Sequence, residues 1–182
     1  VGTGIGVGLV LDGKVYHGKQ NNAGEIGHMG ISIHGDDCKC GGKGCFENLA
    51  SGPGIVKLFQ EGLRRGHHSE LLSEDITPQD IFRAAEENKD PLSIKVIADA
   101  AKALGYGIRN LNNLLDLELV VVGGGIPLAA PSFYMEQLYS SVNGSTNRVN
   151  PSECSIVLSE RYPDSIILGA ARLVELSQSK TE

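Results

Sequence analysis

The sequence lacks the features of a nucleic-acid-binding or membrane-spanning segment. It has no block of basic residues and a formal net charge of -6, so the positive patch of a nucleic-acid binder is missing from this part of the protein. No apolar run is long enough to span a membrane, and no signal peptide is visible. With 182 residues, 41% of them apolar, the chain is long enough for one domain with a core.

Cysteine is scarce and unevenly distributed. Three of the four cysteines fall between residues 38 and 45, and Cys154 lies far away. A secreted disulfide framework usually spreads its cysteines more evenly along the chain. A tight cluster near a histidine instead favours a metal site and a cytoplasmic location, where thiols stay reduced.

The chain has no initiator methionine, and glycines begin at its second residue. A glycine-rich loop normally follows a strand, and little sequence precedes this one. We therefore expect the chain to be a piece of a longer protein, and a natural small domain is the alternative.

Hydrophobic periodicity predicts an α/β fold with strands and helices alternating after residue 90. Residues 5–16 read as a hairpin around Asp12-Gly13, and the apolar run 117–122 reads as a buried strand of a parallel sheet. Residues 177–182 read as a frayed tail. The remaining predicted elements are a possible short strand at 29–33, helices at 46–65, 77–87, 90–115, 131–142 and 166–176, and a strand at 155–158.

The spacing of one histidine and three cysteines predicts a zinc site. His28, Cys38, Cys40 and Cys45 form the one-His, three-Cys set that closes a tetrahedral coordination sphere, so the zinc would be structural. The polar stretch 34–45 cannot form a core of its own, and a metal would order it. The alternative is three free thiols in a glycine-rich loop.

Several short motifs, spread over nearly the whole chain, occur in a characteristic order. They are Gly2-Thr3-Gly4-Ile5-Gly6, Ala23-Gly24-Glu25-Ile26-Gly27-His28, Cys38-Lys39-Cys40-Gly41-Gly42-Lys43-Gly44-Cys45-Phe46-Glu47, Ala50-Ser51-Gly52, Val122-Gly123-Gly124-Gly125 and Gly169-Ala170-Ala171. Together they closely resemble the signature of the ROK (repressor, ORF, kinase) family, in its C-terminal lobe.

The resemblance implies a fold and a sugar site. Residues 1–182 would form a single C-terminal lobe of the ribonuclease H-like (actin/hexokinase-like) ATPase fold. A mixed sheet with flanking helices would open with the hairpin, and the zinc loop would lie within 28–45. His28 would bind zinc on one side and a sugar on the other, while Glu25 and Glu47 would accept hydrogen bonds from sugar hydroxyls.

The resemblance also implies a nucleotide site made of two glycine-rich loops. Such loops let backbone N–H groups approach phosphate oxygens. Val7 departs from the pattern, because ROK kinases often have glycine there, and this weakens the case for nucleotide binding. The implied residues are Gly2, Thr3 and Gly4 of a second phosphate loop and Gly123, Gly124 and Gly125 of an adenosine loop.

Two functions follow from the resemblance, and the sequence does not separate them. The first is the sugar-binding part of a glucokinase-like enzyme that phosphorylates a hexose or N-acetylhexosamine with ATP and Mg²⁺. The second is the effector-binding and oligomerisation domain of a NagC/XylR-type repressor, which would contact DNA only through a preceding helix-turn-helix. A zinc-stabilised lectin-like module is a third.

For both the kinase and the repressor, the family resemblance implies a homo-oligomer. Helices 46–65 and 91–115 are the candidate surfaces for self-association. The kinase's Asp-x-Gly-Gly-Thr loop and catalytic aspartate belong to the N-terminal lobe. We therefore expect no catalytic residue in this chain, and no activity from it alone.

Overall fold

The computed structural model describes residues 1–71, 75–130, 132–143, 154–161 and 163–178. The start of the predicted 131–142 helix and the end of the predicted tail lie outside these residues. Residues 177–178, which the sequence assigns to the tail, instead belong to the last turn of a helix. In the described part of the chain, no helix combines the length and apolarity needed to cross a membrane.

A tight hairpin follows the glycine-rich first residues. β1 (Leu9–Leu11) pairs antiparallel with β2 (Lys14–Tyr16). Asp12 and Gly13 connect them with φ angles of 51° and 73°, the left-handed values that an Asp-Gly turn between two strands requires. The predicted hairpin is confirmed, but its strands are shorter than 5–16.

The predicted helix 46–65 is two helices, α1 (Glu47–Ala50) and α2 (Gly52–Arg64). Ser51 between them is extended, and its hydroxyl accepts a hydrogen bond from the Gly54 N–H at 3.2 Å. The prediction of one helix was wrong because Ser51-Gly52-Pro53 is itself a helix start: a serine cap followed by proline in the first turn.

The two helices that follow begin and end as predicted. α3 (Pro78–Glu87) starts with a capping box, in which Thr77 and Asp80 each bond the other's backbone N–H. α4 (Pro91–Leu115) starts at Asp90, whose carboxylate accepts from the Ser93 N–H at 2.7 Å.

The long helix α4 forms the centre of the core, against α1, α2, α3 and α6 (Ser132–Asn143). Two glycines allow close packing on it. A Cβ at Gly105 would lie 2.8 Å from the Leu138 carbonyl oxygen, and one at Gly107 would lie 2.7 Å from the Phe46 ring. The candidate oligomer surface on α4 is therefore largely a core face. Its buried residues include Ile97, Ala101, Leu104, Ile108 and Leu111.

β3 (Leu119–Val122) and β4 (Ser155–Leu158) pair in parallel, as expected for strands separated by a helix. Burial on both faces was predicted, but only one face is buried. Val122 and Ile156 point into the core, whereas Leu119 and Val121 are 51% and 56% exposed. In the described part of the chain, no element covers that outer face.

Two short features depart from the sequence-based expectations. α5 (Gly125–Ala129) was not predicted, because five residues give too little periodicity. Residues 29–33 form no strand and contribute a single bridge, from Gly30 to Cys45. The last described element is α7 (Asp164–Gln178), close to the predicted 166–176.

Among the described residues, the strands form two separate sheets, one antiparallel and one parallel, rather than the single mixed sheet that was expected. Glycine at positions 2, 4, 6 and 8 weakens strand formation in the segment that would join them. The segment does approach β3, since the Val1 nitrogen donates to the Gly123 carbonyl at 2.6 Å.

Candidate functional site

The zinc-loop segment is ordered by backbone contacts that bring its ends together. A 3-10 turn (Ile26–His28) presents His28, and the Cys38 N–H donates to the Gly42 carbonyl at 2.8 Å. Gly44 has a φ of 64°, and a Cβ there would overlap the Ser32 carbonyl oxygen at 1.9 Å. A glycine is therefore required where the loop closes.

This fold brings the four predicted metal ligands together. The ligand atoms of His28, Cys38, Cys40 and Cys45 all lie within 4.8 Å of one another. The Cys38 Sγ is 3.6 Å from the His28 Nδ1, and the Cys40 and Cys45 sulfurs are also 3.6 Å apart. Sulfurs bound to zinc at about 2.3 Å in a tetrahedron are about 3.8 Å apart, so the cluster fits a four-coordinate ion.

The thiols of the cluster differ in acidity. Burial and the hydrogen bond to Cys40 raise the pKa of Cys45 to about 12, whereas the Gly42 N–H, which donates to the exposed Cys40 sulfur at 3.4 Å, lowers the pKa of Cys40. Metal binding needs thiolates, so an ion in this cluster would replace the proton of Cys45.

Glu47 is a buried carboxylate beside the metal cluster. Its Oε2 accepts a hydrogen bond from the Ile5 N–H at 2.8 Å, and its Oε1 lies 3.2 Å from the Lys39 Nζ. Burial favours the neutral acid, but the Ile5 N–H, the Lys39 ammonium and the nearby His28 outweigh it and hold the pKa of Glu47 below its usual value. The residue therefore offers an ionised acceptor at physiological pH.

The other two predicted sugar contacts lie along the 3-10 turn. With His28 Nδ1 facing the sulfurs, the Nε2 atom lies on the opposite side of the ring. The Glu25 side chain is exposed, and the Glu25 backbone carbonyl accepts a hydrogen bond from the His28 N–H at 3.2 Å. The structure thus places His28 in the metal cluster, Glu47 beside it, and Glu25 at the start of the 3-10 turn that carries His28.

The two predicted nucleotide loops meet at the N-terminal residues. Gly124 has a φ of 107°, and a Cβ there would lie 2.3 Å from the Val1 carbonyl oxygen. The Gly52 N–H donates to the Gly2 carbonyl at 2.8 Å, which ties the first loop to the start of α2. The predicted glycines are therefore neighbours in space although more than a hundred residues separate them.

A cavity of about 490 Å³ opens beside the first glycine loop, between the N-terminal ends of α2 and α3. Thr3 lines it, together with apolar, amide and ammonium side chains. The other lining residues are Gly52, Pro53, Val56, Lys57, Gln60, Ile76, Thr77, Pro78 and Gln79.

Comparison with known proteins assigns the chain to one family. The sequence profile of the ROK family matches residues 1–176. The chain belongs to the ROK family. This confirms the resemblance drawn from the motifs.

Both kinases and repressors occur among the ROK relatives. A glucokinase from Halalkalibacterium halodurans is 39% identical over 135 residues, which cover 71% of this chain and 41% of that protein. A xylose repressor from Caldicellulosiruptor bescii is 29% identical over 178 residues, or 96% of this chain and 44% of that protein. The chain spans about half the length of the curated relatives it matches.

The solved structure of a ROK hexokinase from Thermus thermophilus superposes on this ROK chain with a TM-score of 0.79 at 28% identity. The match covers 98% of this chain and 56% of that one. The α/β chain therefore has the actin/hexokinase-like fold of ROK sugar kinases.

Sequence reasoning missed three contributors to this site. The Ile5 N–H is a backbone donor, which no side-chain pattern can indicate. No separate role was predicted for Lys39, or for Phe46, which is fully buried against α4 beside Gly107. The sequence could have indicated a core position for Phe46, since it is a large apolar residue between Cys45 and Glu47.

Proposed function

We propose that this chain is the sugar-binding part of a ROK kinase that transfers the γ-phosphoryl group of ATP to a hexose or N-acetylhexosamine. The observation that carries the proposal is the cavity beside Thr3, next to the two joined glycine loops. A nucleotide-sized cavity next to such loops suits an enzyme that uses ATP, whereas a sugar sensor needs only the sugar site.

The sugar would bind at Glu47, His28 and Glu25. An ionised carboxylate only accepts hydrogen bonds and can take two hydroxyl donors, so Glu47 suits a polyhydroxylated ligand. His28 Nε2 would complete the contact on the side of the ring away from the cluster. A sugar held by several such bonds is oriented as well as bound, and orientation is a large part of the rate of phosphoryl transfer.

The nucleotide would bind along Gly2, Thr3 and Gly4, with Gly123, Gly124 and Gly125 nearby. The Thr3 hydroxyl and the backbone amides would face phosphate oxygens, and the apolar wall of the cavity at Val56 and Ile76 would receive the base. Magnesium would accompany ATP. We assign the base that deprotonates the attacking hydroxyl to the half of the protein outside this chain, so residues 1–182 alone would be inactive.

Zinc would have a structural role at His28, Cys38, Cys40 and Cys45. Four protein ligands leave no open position for substrate or water, so the ion would supply order to the loop that carries Lys39 and ends at Glu47. Thiol ligands of this kind persist in a reducing compartment, which supports a cytoplasmic location.

An assay of sugar-dependent ATP turnover by the full-length, zinc-loaded protein tests the proposal. We expect ADP release from ATP in the presence of one or more sugars from a panel of hexoses and N-acetylhexosamines. Glu47→Gln should reduce kcat/KM by about 10- to 100-fold, because hydrogen bonds to a charged group are worth about 1.5–3 kcal/mol. Glu136→Gln, on the exposed face of α6, is the matched control and should change nothing.

The xylose repressor supports a second function, because its match covers almost the entire chain. In that case the same pocket would bind a sugar effector and the lobe would contribute to an oligomer. Val7, where ROK kinases often have glycine, is consistent with it. A full-length protein that binds sugar without ATP, releases operator DNA on binding it and shows no turnover would establish this alternative and exclude the kinase.

A further inference from the structure

We propose that Lys39 is a positioning residue that links the metal cluster to the sugar-binding carboxylate of Glu47. The inference rests on the proposed role of Glu47 in binding a sugar. It concerns a residue that does not itself bind the metal, and it explains how an ordered zinc loop would affect a ligand that does not touch the metal.

The position of Lys39 in the chain limits where its ammonium can reach. It lies between Cys38 and Cys40, two of the four proposed metal ligands. An ion held by both neighbours would fix the Lys39 backbone on each side. Its side chain is 76% exposed, yet its Nζ lies 3.2 Å from Oε1 of Glu47, whose side chain is only 10% exposed. An exposed lysine thus reaches inward to a buried partner.

The second oxygen of Glu47 is held by a different part of the chain. Its Oε2 accepts from the Ile5 N–H at 2.8 Å, and a Cβ at Gly4 would lie 2.9 Å from the same oxygen. A Cβ at Gly27 would lie 3.1 Å away. One oxygen is therefore packed against backbone, and the Lys39 ammonium fixes the orientation of the other.

This arrangement leaves acceptor capacity for a ligand. A carboxylate has about four lone-pair sites, and the contacts from Ile5 and Lys39 use two of them. The remaining two can receive sugar hydroxyls in directions set by the plane of the carboxylate. Without Lys39, Oε1 would lose the ion pair that fixes its orientation, so the carboxylate would have to be ordered when the sugar binds, at a cost in affinity.

The size of the effect follows from the exposure of the lysine. Ion pairs with an exposed partner contribute little, and a partner as buried as Glu47 increases the contribution somewhat. We therefore expect Lys39→Met, which keeps the apolar stem and removes the charge, to raise the sugar KM or Kd about three- to tenfold. The effect on kcat should be small, because the metal cluster and the nucleotide loops are unchanged.

The test is a double-mutant cycle in the full-length zinc-loaded protein, with sugar affinity and zinc content measured for each variant. Lys39→Met should weaken sugar binding in the wild-type background and have no further effect in a Glu47→Gln background. Lys39→Arg, which retains the charge, should restore most of the affinity. Lys43→Met is the matched control, since Lys43 is in the same loop but pairs with the exposed Asp37 at 2.9 Å.

The outcomes separate the two proposals. If Glu47→Gln leaves sugar binding intact, the proposed sugar site is wrong. If Glu47→Gln weakens sugar binding while Lys39→Met leaves it unchanged, the site stands and the role of Lys39 is refuted. Equal losses for Lys39→Met and Lys43→Met, or a loss of zinc with Lys39→Met, would also refute it, because they would indicate a general effect on the loop.

Discussion

At the scale of single residues, the metal cluster depends on buried and exposed ligands in different ways. Cys38 and Cys45 are buried, whereas Cys40 is exposed at the edge of the cluster. Cys45 also precedes Phe46, which is fully buried against α4. Loss of the Cys45 ligand would therefore disturb the core as well as the loop.

We predict that Cys45→Ser loses the metal and lowers the Tm by about 10 °C, as expected when a few kcal/mol are removed from a chain of this size. The measurement is zinc content by elemental analysis together with a thermal melt. Cys154→Ser is the control, because Cys154 lies outside the cluster and should keep both metal and Tm. A Cys45→Ser protein with full zinc and an unchanged Tm would contradict the structural metal site.

The sequence predicted the ligand residues of the cluster, but it did not predict the contacts that hold their neighbours in place. His28 and the three cysteines form a spacing pattern, and the fold brings their ligand atoms within 4.8 Å of one another. Glu47 was assigned from the family resemblance, and its burial and its bond to the Ile5 N–H depend on a contact 42 positions apart. Local sequence carries no record of such a contact.

At the scale of helices, boundaries were predicted well where a cap is encoded within a few residues. Thr77, Asp80 and Asp90 each bond the backbone at or close to the predicted helix start. The break at Ser51 was missed because the apolar spacing on both sides of it is helical. The Ser51 cap and Pro53, rather than the spacing of the apolar residues, determine where α2 begins.

Asp90 gives α4 a stability that depends on pH. Burial disfavours its charge, but hydrogen bonds from the Ser93 N–H, the Ser69 hydroxyl and the Glu70 N–H outweigh this and hold the pKa of Asp90 below its usual value. A carboxylate with a lowered folded pKa stabilises the protein above its unfolded pKa of about 3.9, and this contribution is lost as the pH falls through the folded value. We expect Asp90→Ala to lower the free energy of unfolding by about 1–2 kcal/mol at pH 7.

Urea unfolding at pH 7 and near pH 3 measures this dependence. The difference between wild type and Asp90→Ala should shrink at the lower pH, and any acid effect on the metal site cancels because both proteins share it. Asp90→Asn is the control, since asparagine caps helices as well as aspartate and should retain part of the stability without the pH dependence. A difference that stays constant with pH would show that the charge of Asp90 contributes nothing.

Two glycines of α4, Gly105 and Gly107, pack closely against neighbouring elements, and only Gly107 packs against the residue next to the metal ligand Cys45. A Cβ at Gly107 would lie 2.7 Å from the Phe46 ring, and one at Gly105 would lie 2.8 Å from the Leu138 carbonyl oxygen on α6. Overpacking of this kind costs about 1–3 kcal/mol. Both Gly107→Ala and Gly105→Ala should therefore lower stability in a urea titration.

Only Gly107→Ala should also weaken zinc retention against a chelator, because it displaces Phe46 and with it Cys45 and Glu47. Gly105→Ala serves as the matched control for general destabilisation. Equal zinc retention in the two variants would show that α4 does not position the metal loop.

At the scale of the whole molecule, the α/β class followed from the alternation of elements, but the burial of the sheet did not. An apolar run cannot indicate which partner covers each face of a strand. Leu119, Val121 and Val157 share the outer face of the parallel pair and are exposed, and α7 exposes Ile166 and Ile167. Parallel sheets are normally covered on both faces, so we expect other parts of the full-length protein to cover this one.

This exposed face predicts the behaviour of residues 1–182 expressed alone. Apolar patches of this kind promote association, so the isolated chain should bind an apolar dye and sediment as a mixture of oligomers. Leu119→Lys with Val121→Lys should reduce both effects. Val10→Lys is the control, because Val10 is 62% exposed on the hairpin and lies outside the parallel pair. A wild-type chain that is monodisperse and binds no dye, or an equal gain from Val10→Lys, would show that this face needs no cover.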